Sequence, residues 1–352
     1  MNLTVLLPAL TSILAIVFSL FVFDQWIERR RPYQLVWTFG MLFFGIASGC
    51  EALAAANGWS EPLYRIWYLT GAVWTAGWLG LGTAFLLGRT RFGYTFAVCL
   101  LFAGLIMFAL RNSPKYADAG STPILYFIAA LVLAIAIGVE TYFANERWPR
   151  LAALAVVGAT VLSIALMLAT TLPAPGYALD ATTGVPTAEL LPGSLRLLTP
   201  FMNVTGAAAL VLGAVFSTYV FMPKRRILDY SLDPNQPGDQ FLFNLVISPV
   251  AIVVNFVGSI PMAVRAFLGG RMNSRAPATA LIALGGLIPA VTDSLNRVGS
   301  TDYYQLGKLV GVILLFAGFL VSTEVFREVR IPFTHIRLRA ARSETSAEVS
   351  TD

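Results

Sequence analysis

Apolar residues fall into blocks of about twenty along this chain, separated by short polar segments that carry most of the arginines. Seven blocks precede residue 224, at about 4–26, 34–56, 62–87, 93–110, 124–143, 150–171 and 199–222, and two more lie at about 277–295 and 304–326. A hydrocarbon core about 30 Å thick is crossed by roughly 20 apolar residues of helix. Each block therefore predicts one transmembrane helix.

A tenth block, FLFNLVISPVAIVVNFVGSIPMAVRAFLGG at 241–270, is long enough to cross but is interrupted by Pro249, Pro261, Asn244 and Asn255. Proline removes a backbone donor and disfavours a continuous helix. Broken backbone at membrane depth is tolerated only against protein or a water-filled cavity. The expectation is a proline-broken re-entrant or interfacial element that bends near Val257–Gly258–Ser259; the alternative is a proline-kinked helix that spans.

Charge separates these two readings. If the tenth block does not cross, 18 Lys and Arg face the cytoplasm and six face outward; if it crosses, the split is 12 to 12. Cytoplasmic segments carry the excess of Lys and Arg, which favours nine crossings with the N-terminus outside and the C-terminus inside. No basic segment precedes the first apolar run, whereas Arg29, Arg30 and Arg31 follow it, so that run reads as a retained helix. The predicted organisation is a seven-helix block at 1–222, a cytoplasmic linker at 223–240, the broken element plus two helices at 241–330, and a cytoplasmic tail at 331–352 that is expected to be disordered at its end.

Composition agrees with an all-α integral membrane protein, multi-pass in a cytoplasmic-type membrane. Of 352 residues, 57% are hydrophobic and 12% charged, with a mean hydropathy of +0.72; soluble proteins carry roughly 25% charged residues. The net charge of +5 arises from arginines scattered between apolar runs, which marks topology rather than a phosphate-binding face. The bilayer is the expected partner, with a small solute or a membrane protein beside it, and nucleic acid is not expected. Two cysteines, Cys50 and Cys99, and one histidine, His335, are too few for a disulfide framework or a histidine-rich metal site. Walker A, G-x-S-x-G, H-E-x-x-H and C-x-x-C patterns are missing. The reading leans away from an enzyme and expects no catalytic residue, cofactor or metal.

Intramembrane charges default to functional candidates. Glu51, near the outer end of the second apolar run, is expected to pair with Arg65 at the start of the third. Asp293 and Arg297 repeat the combination at i, i+4, and Lys308 sits at similar depth. With Asn244, Asn255 and Ser259 of the tenth block, these residues make a candidate polar cavity; the competing reading is structural anchoring at the interface. Trp74 and Trp78 share a stripe with Tyr64, Trp67 and Gly71 and are a candidate aromatic lining, against ordinary packing. Gly45/Gly49 and Gly307/Gly311 have the spacing that lets helix backbones approach closely. The leading function is binding or translocation of a small solute, ion or lipid. The alternative is a non-transporting sensor or accessory subunit, whose outer loop 172–198 meets a signal and whose linker and tail meet a partner.

Overall fold

The computed structural model describes residues 3–143, 147–180, 184–231, 237–297, 303–321, 329–330 and 337–338. Ten helices are long and apolar enough to cross a membrane. They are α1 (Leu3–Arg29), α2 (Pro32–Asn57), α3 (Glu61–Leu86), α4 (Gly93–Leu110), α5 (Thr122–Tyr142), α6 (Trp148–Ala169), α7 (Leu198–Phe221), α8 (Gly238–Leu268), α9 (Arg275–Arg297) and α10 (Tyr304–Val321). Beyond the helices, Val329–Arg330 pairs with Arg337–Leu338 in a two-residue antiparallel ladder. The chain is an all-α, multi-pass membrane protein.

Local sequence explains several boundaries. Proline stands in the first turn of α2, α3, α5 and α6, where its missing N–H costs no helix bond and its φ is preset. Gly58, at φ 86°, ends α2 and donates its N–H to the Ala54 carbonyl; only glycine takes that backbone without strain. Within α3, Tyr68–Trp74 winds as a π-helix, and both the N–H and the hydroxyl of Thr75 bond the carbonyl of Thr70.

Two rings of helices share α3 and α7. In one, α1, α2, α3, α7, α9 and α10 pack in that order, and α10 returns to α1. Its centre is filled by Phe18, Met41, Leu79, Leu210, Leu315 and Phe319. In the other, α7, α4, α5, α6 and α3 follow one another around Phe96, Leu100, Trp148, Phe201 and Met202. The shared pair runs parallel: Tyr68 meets Thr199, Gly80 meets Gly206 and Thr83 meets Gly213. A Cβ on Gly206 would fall 2.1 Å from the Ala76 carbonyl oxygen, so this crossing requires glycine. Gly45 and Gly49 seat α1 through Ser12, while Gly307 and Gly311 seat α9 through Thr292 and Pro289. Both glycine pairs therefore stand at close helix crossings, as expected.

The helix α8 is the exception to the packing. The bend expected at Val257–Gly258–Ser259 does not occur: Gly238–Leu268 is one uninterrupted helix. Pro261 lies on its exposed side, and the carbonyl left without a helix partner is that of Val257, also exposed, where solvent or headgroups can serve it. No helix packs along α8 among the described residues. It instead meets the ends of its neighbours, where Tyr219, Met222, Ala263 and Ala276 form a small cluster. The flanking helices α7 and α9 are antiparallel, with Thr218 on Thr279 and Gly286 on Leu210 and Val211. The end of α7 and the start of α9 therefore lie at the same end of the bundle, and the chain passes through α8 between them.

Candidate functional site

Three elements bring one charged centre together. Glu51 sits in the penultimate turn of α2, Trp67 just before the π-turn of α3, and Tyr304, Gln305 and Lys308 on the first turns of α10. The Lys308 ammonium lies 2.5 Å from Glu51 Oε2, which also accepts from Gln305 Nε2 at 2.9 Å. Glu51 Oε1 accepts from Trp67 Nε1 at 2.9 Å and from the Tyr304 hydroxyl at 3.4 Å. Both charges are buried, at 7% and 6% exposure. The ammonium also lies 5.0 Å from the Tyr304 ring centroid and 5.8 Å from that of Phe44, within cation–π range. A buried charge is costly unless paired and hydrogen-bonded, and here each oxygen of the carboxylate has two donors. Chemically this is a cation site already filled by the chain's own lysine.

The expected Glu51–Arg65 pair is therefore corrected. Arg65 turns to Glu61, with Nη2 2.7 Å from Oε1 and Nε 2.8 Å from it. Its two terminal nitrogens also donate to the carbonyls of Met167 and Thr170 at 2.6 and 2.7 Å, closing the C-terminus of α6. The E-x-x-x-R spacing of Glu61 and Arg65, one helical turn apart, was the signal in the sequence. Lys308, 257 positions from Glu51, carried no local one.

The remaining candidates lie apart from this centre. Asn255 and Ser259 are buried, on the face of α8 that carries the segment after α7. Asn255 Oδ1 accepts from the N–H groups of Ile227 and Leu228 at 2.7 and 2.9 Å, and its Nδ2 donates to the Leu228 carbonyl at 2.7 Å. Ser259 Oγ accepts from Arg225 N at 2.8 Å and donates to the Asn255 carbonyl at 2.6 Å. Residues Arg225–Leu228 thus form a strap on α8. Nearby, burial pushes the Tyr230 phenol above its ordinary pKa; Tyr219 adds to the rise and Arg226 opposes it. Asn244 is half-buried earlier on α8, and Asp293 half-buried near the end of α9; the side chain of Arg297 lies outside the described residues, as does His335. Glu51 and Arg65 thus do not meet, and Asn255 and Ser259 belong to the opposite end of the bundle.

Trp74 and Trp78 donate across to α6, to Ser163 Oγ at 2.9 Å and Thr160 Oγ1 at 3.1 Å. Their rings meet Phe43 edge-on, and Phe39 packs on Trp78. An enclosed cavity near Gly77, Met202 and Gly206 holds about 10 Å³, room for about one water. No candidate residue lines it.

The segment before α7 folds down on the bundle. The Tyr64 hydroxyl donates to the Thr187 carbonyl, and Leu179 bridges Pro186. Asp118 accepts from Gly193 N at 2.6 Å and Arg196 Nη2 at 3.0 Å, while Leu191, Leu195 and Leu197 are buried. Among the described residues no group of three or more His, Cys, Asp or Glu could hold a metal. No protein-family model matches the chain, and neither a curated protein nor a solved structure does.

Proposed function

We infer that the protein is a non-conducting membrane sensor or accessory subunit. Nine of its helices cross, with the N-terminus outside and the C-terminus inside, and α8 stays at the inner end. The observation that carries this reading is that Glu51, Trp74, Trp78, Asn255 and Ser259, the candidate groups the structure describes in most detail, all bond within the chain itself. Glu51 is neutralised by Lys308, the tryptophan N–H groups are taken by α6 hydroxyls, and Asn255 and Ser259 hold the strap. A conduit needs polar groups facing a wet path, whereas these groups face donors and acceptors of the chain. The folded outer segment 184–197 and the inner strap with α8 give such a protein one face on each side of the membrane.

The threading draws on the shared end of α7 and α9 and on the arginines at the ends of α1, α3 and α5. A second reading, binding or translocation at the outer end, is favoured by the buried charge centre of Glu51 and Lys308, since intramembrane charges are costly and default to function. Reconstitution in proteoliposomes separates the two. Purified protein is expected to give no transport current with Na⁺, K⁺, H⁺ or Cl⁻ gradients and to co-purify with a stoichiometric membrane partner. A current abolished by Glu51→Gln would overturn the sensor reading.

A further inference from the structure

The helix α8 presents two opposed faces that ask for different surroundings. One is small and polar: Ser248, Ala251, Asn255, Ser259 and Ala263 are all buried. The other is an apolar stripe running from Phe243 to Phe267 through Val246, Val250, Val253, Val257, Ile260 and Val264, each between 42% and 77% exposed. At 3.6 residues per turn the two sets centre roughly 160° apart. From 241 to 264 the helix carries no charged residue. A helix projecting into water, or pairing with a second copy there, would carry flanking charges, so this stripe belongs in hydrocarbon.

The strap fixes how deep. Its Arg225, Arg226 and Asp229 are exposed and lie beside the midpoint of α8. A helix whose middle is bound to irregular, charged backbone cannot have that middle at the bilayer centre, because unsatisfied backbone and charge are both excluded there. The midpoint therefore lies at headgroup level. Lys224, Arg225, Arg226, Arg265 and Arg271 are exposed around the unit, against Asp229 after the strap and Asp239 in the first turn of α8.

We propose that α8 and the strap Arg225–Leu228 form a composite membrane-surface element: the helix lies flat in the inner leaflet with its stripe among the acyl chains, and the strap supplies the polar, cationic face that meets anionic phospholipid headgroups. An interfacial helix ordinarily carries its charged face on its own sequence. Here the helix lacks one, and a segment some 30 residues earlier provides it through Asn255. Clustered cations beside a membrane helix are attracted to anionic lipid.

The proposal rests on the nine-crossing threading, and depth measurement separates its failure from that of the threading. The full chain is reconstituted in phosphatidylcholine vesicles with and without one quarter phosphatidylglycerol. Spin labels are placed singly on Val246→Cys, Val253→Cys and Ile260→Cys; Cys50 and Cys99 are buried, and unlabelled parent protein supplies the background. Oxygen against nickel-chelate accessibility is expected to put all three labels at one depth, about 5–10 Å below the phosphates. Changing Lys224, Arg225 and Arg226 together to Gln is expected to abolish the additional shielding that phosphatidylglycerol gives. A depth gradient of about 21 Å across the 14 residues would overturn the threading and the proposal together. Aqueous accessibility at all three sites would overturn the surface seating and leave nine crossings intact. Dipolar broadening between copies would replace lipid by a second copy as the occupant.

Discussion

Replacing Lys308 by Met tests the charge centre at its most sensitive point. The variant keeps the volume of the side chain and removes only the ammonium 2.5 Å from Glu51 Oε2. The carboxylate is then 7% exposed with Trp67, Gln305 and Tyr304 as donors and no counter-charge. Removing one partner of a buried pair costs about 3–5 kcal/mol, because the remaining charge stays desolvated. At about 2–4 °C per kcal/mol for a chain of moderate size, the apparent melting temperature in detergent is expected to fall by roughly 6–20 °C. Glu51→Gln/Lys308→Met should recover most of the loss. The neutral amide still accepts from Trp67, and a buried pair exchanged for neutral groups of similar size is often stability-neutral. A four-way cycle of parent, two single variants and the double variant, read by thermal scanning and by SDS titration of folded fraction, measures the coupling. A Lys308→Met loss below about 1 kcal/mol, typical of a solvated surface pair, would refute the reasoning. So would a double variant that loses the sum of the singles.

Three further outcomes follow from named contacts. Gly206→Ala should destabilise by about 1–3 kcal/mol through overpacking at α3, whereas Gly138→Ala and Gly158→Ala, whose added Cβ meets nothing within 4 Å, should be neutral or stabilise by up to about 1 kcal/mol; thermal scanning of the three compares them directly. Arg65→Ala should free the Met167 and Thr170 carbonyls and speed proteolysis within 170–192. Arg65→Lys should not restore protection, since one ammonium cannot reproduce the guanidinium fork. Asn255→Leu removes three hydrogen bonds to Ile227 and Leu228 and should accelerate tryptic cleavage after Lys224, Arg225 and Arg226 in inside-out vesicles, while Asn244→Leu serves as the comparison variant on the same helix.

The helices were legible because hydrocarbon leaves few choices: backbone groups must be satisfied within the segment, so a block of apolar residues announces its own structure. The glycine pairs were legible for a similar reason, since close crossings need small residues at fixed spacing. Partner choice was not. Glu51 has Arg65 nearer in sequence, yet Arg65 lies one turn from Glu61 and takes it, which leaves Glu51 for Lys308. The asparagines of α8 stand out in an apolar run, but the role of Asn255 depends on a strap that has no regular structure and leaves no periodic trace. The prolines point to a break because each removes one helix bond; α8 stays continuous over Gly238–Leu268, and at Pro261 the lost bond falls on an exposed face where it is cheaply met.

Ring closure gives the charge centre its structural meaning. Once inserted, apolar helices gain no hydrophobic energy from meeting one another, since lipid tails are equally apolar. Most neighbours here are close in sequence, and short loops keep them together: α1 with α2, α4 with α5, α9 with α10. The contact of α10 with α1 and α2 is different, because it joins helices separated by some 250 residues and closes the first ring. Phe18 on Phe316 and Phe319 supplies shape but little discrimination among apolar surfaces. Glu51 with Lys308 supplies discrimination, because either charge alone in this setting is unfavourable and only this arrangement satisfies both. The same pair that makes this end of the bundle resemble a binding site thus joins the helices that finish the ring, and the Lys308 cycle measures how strongly.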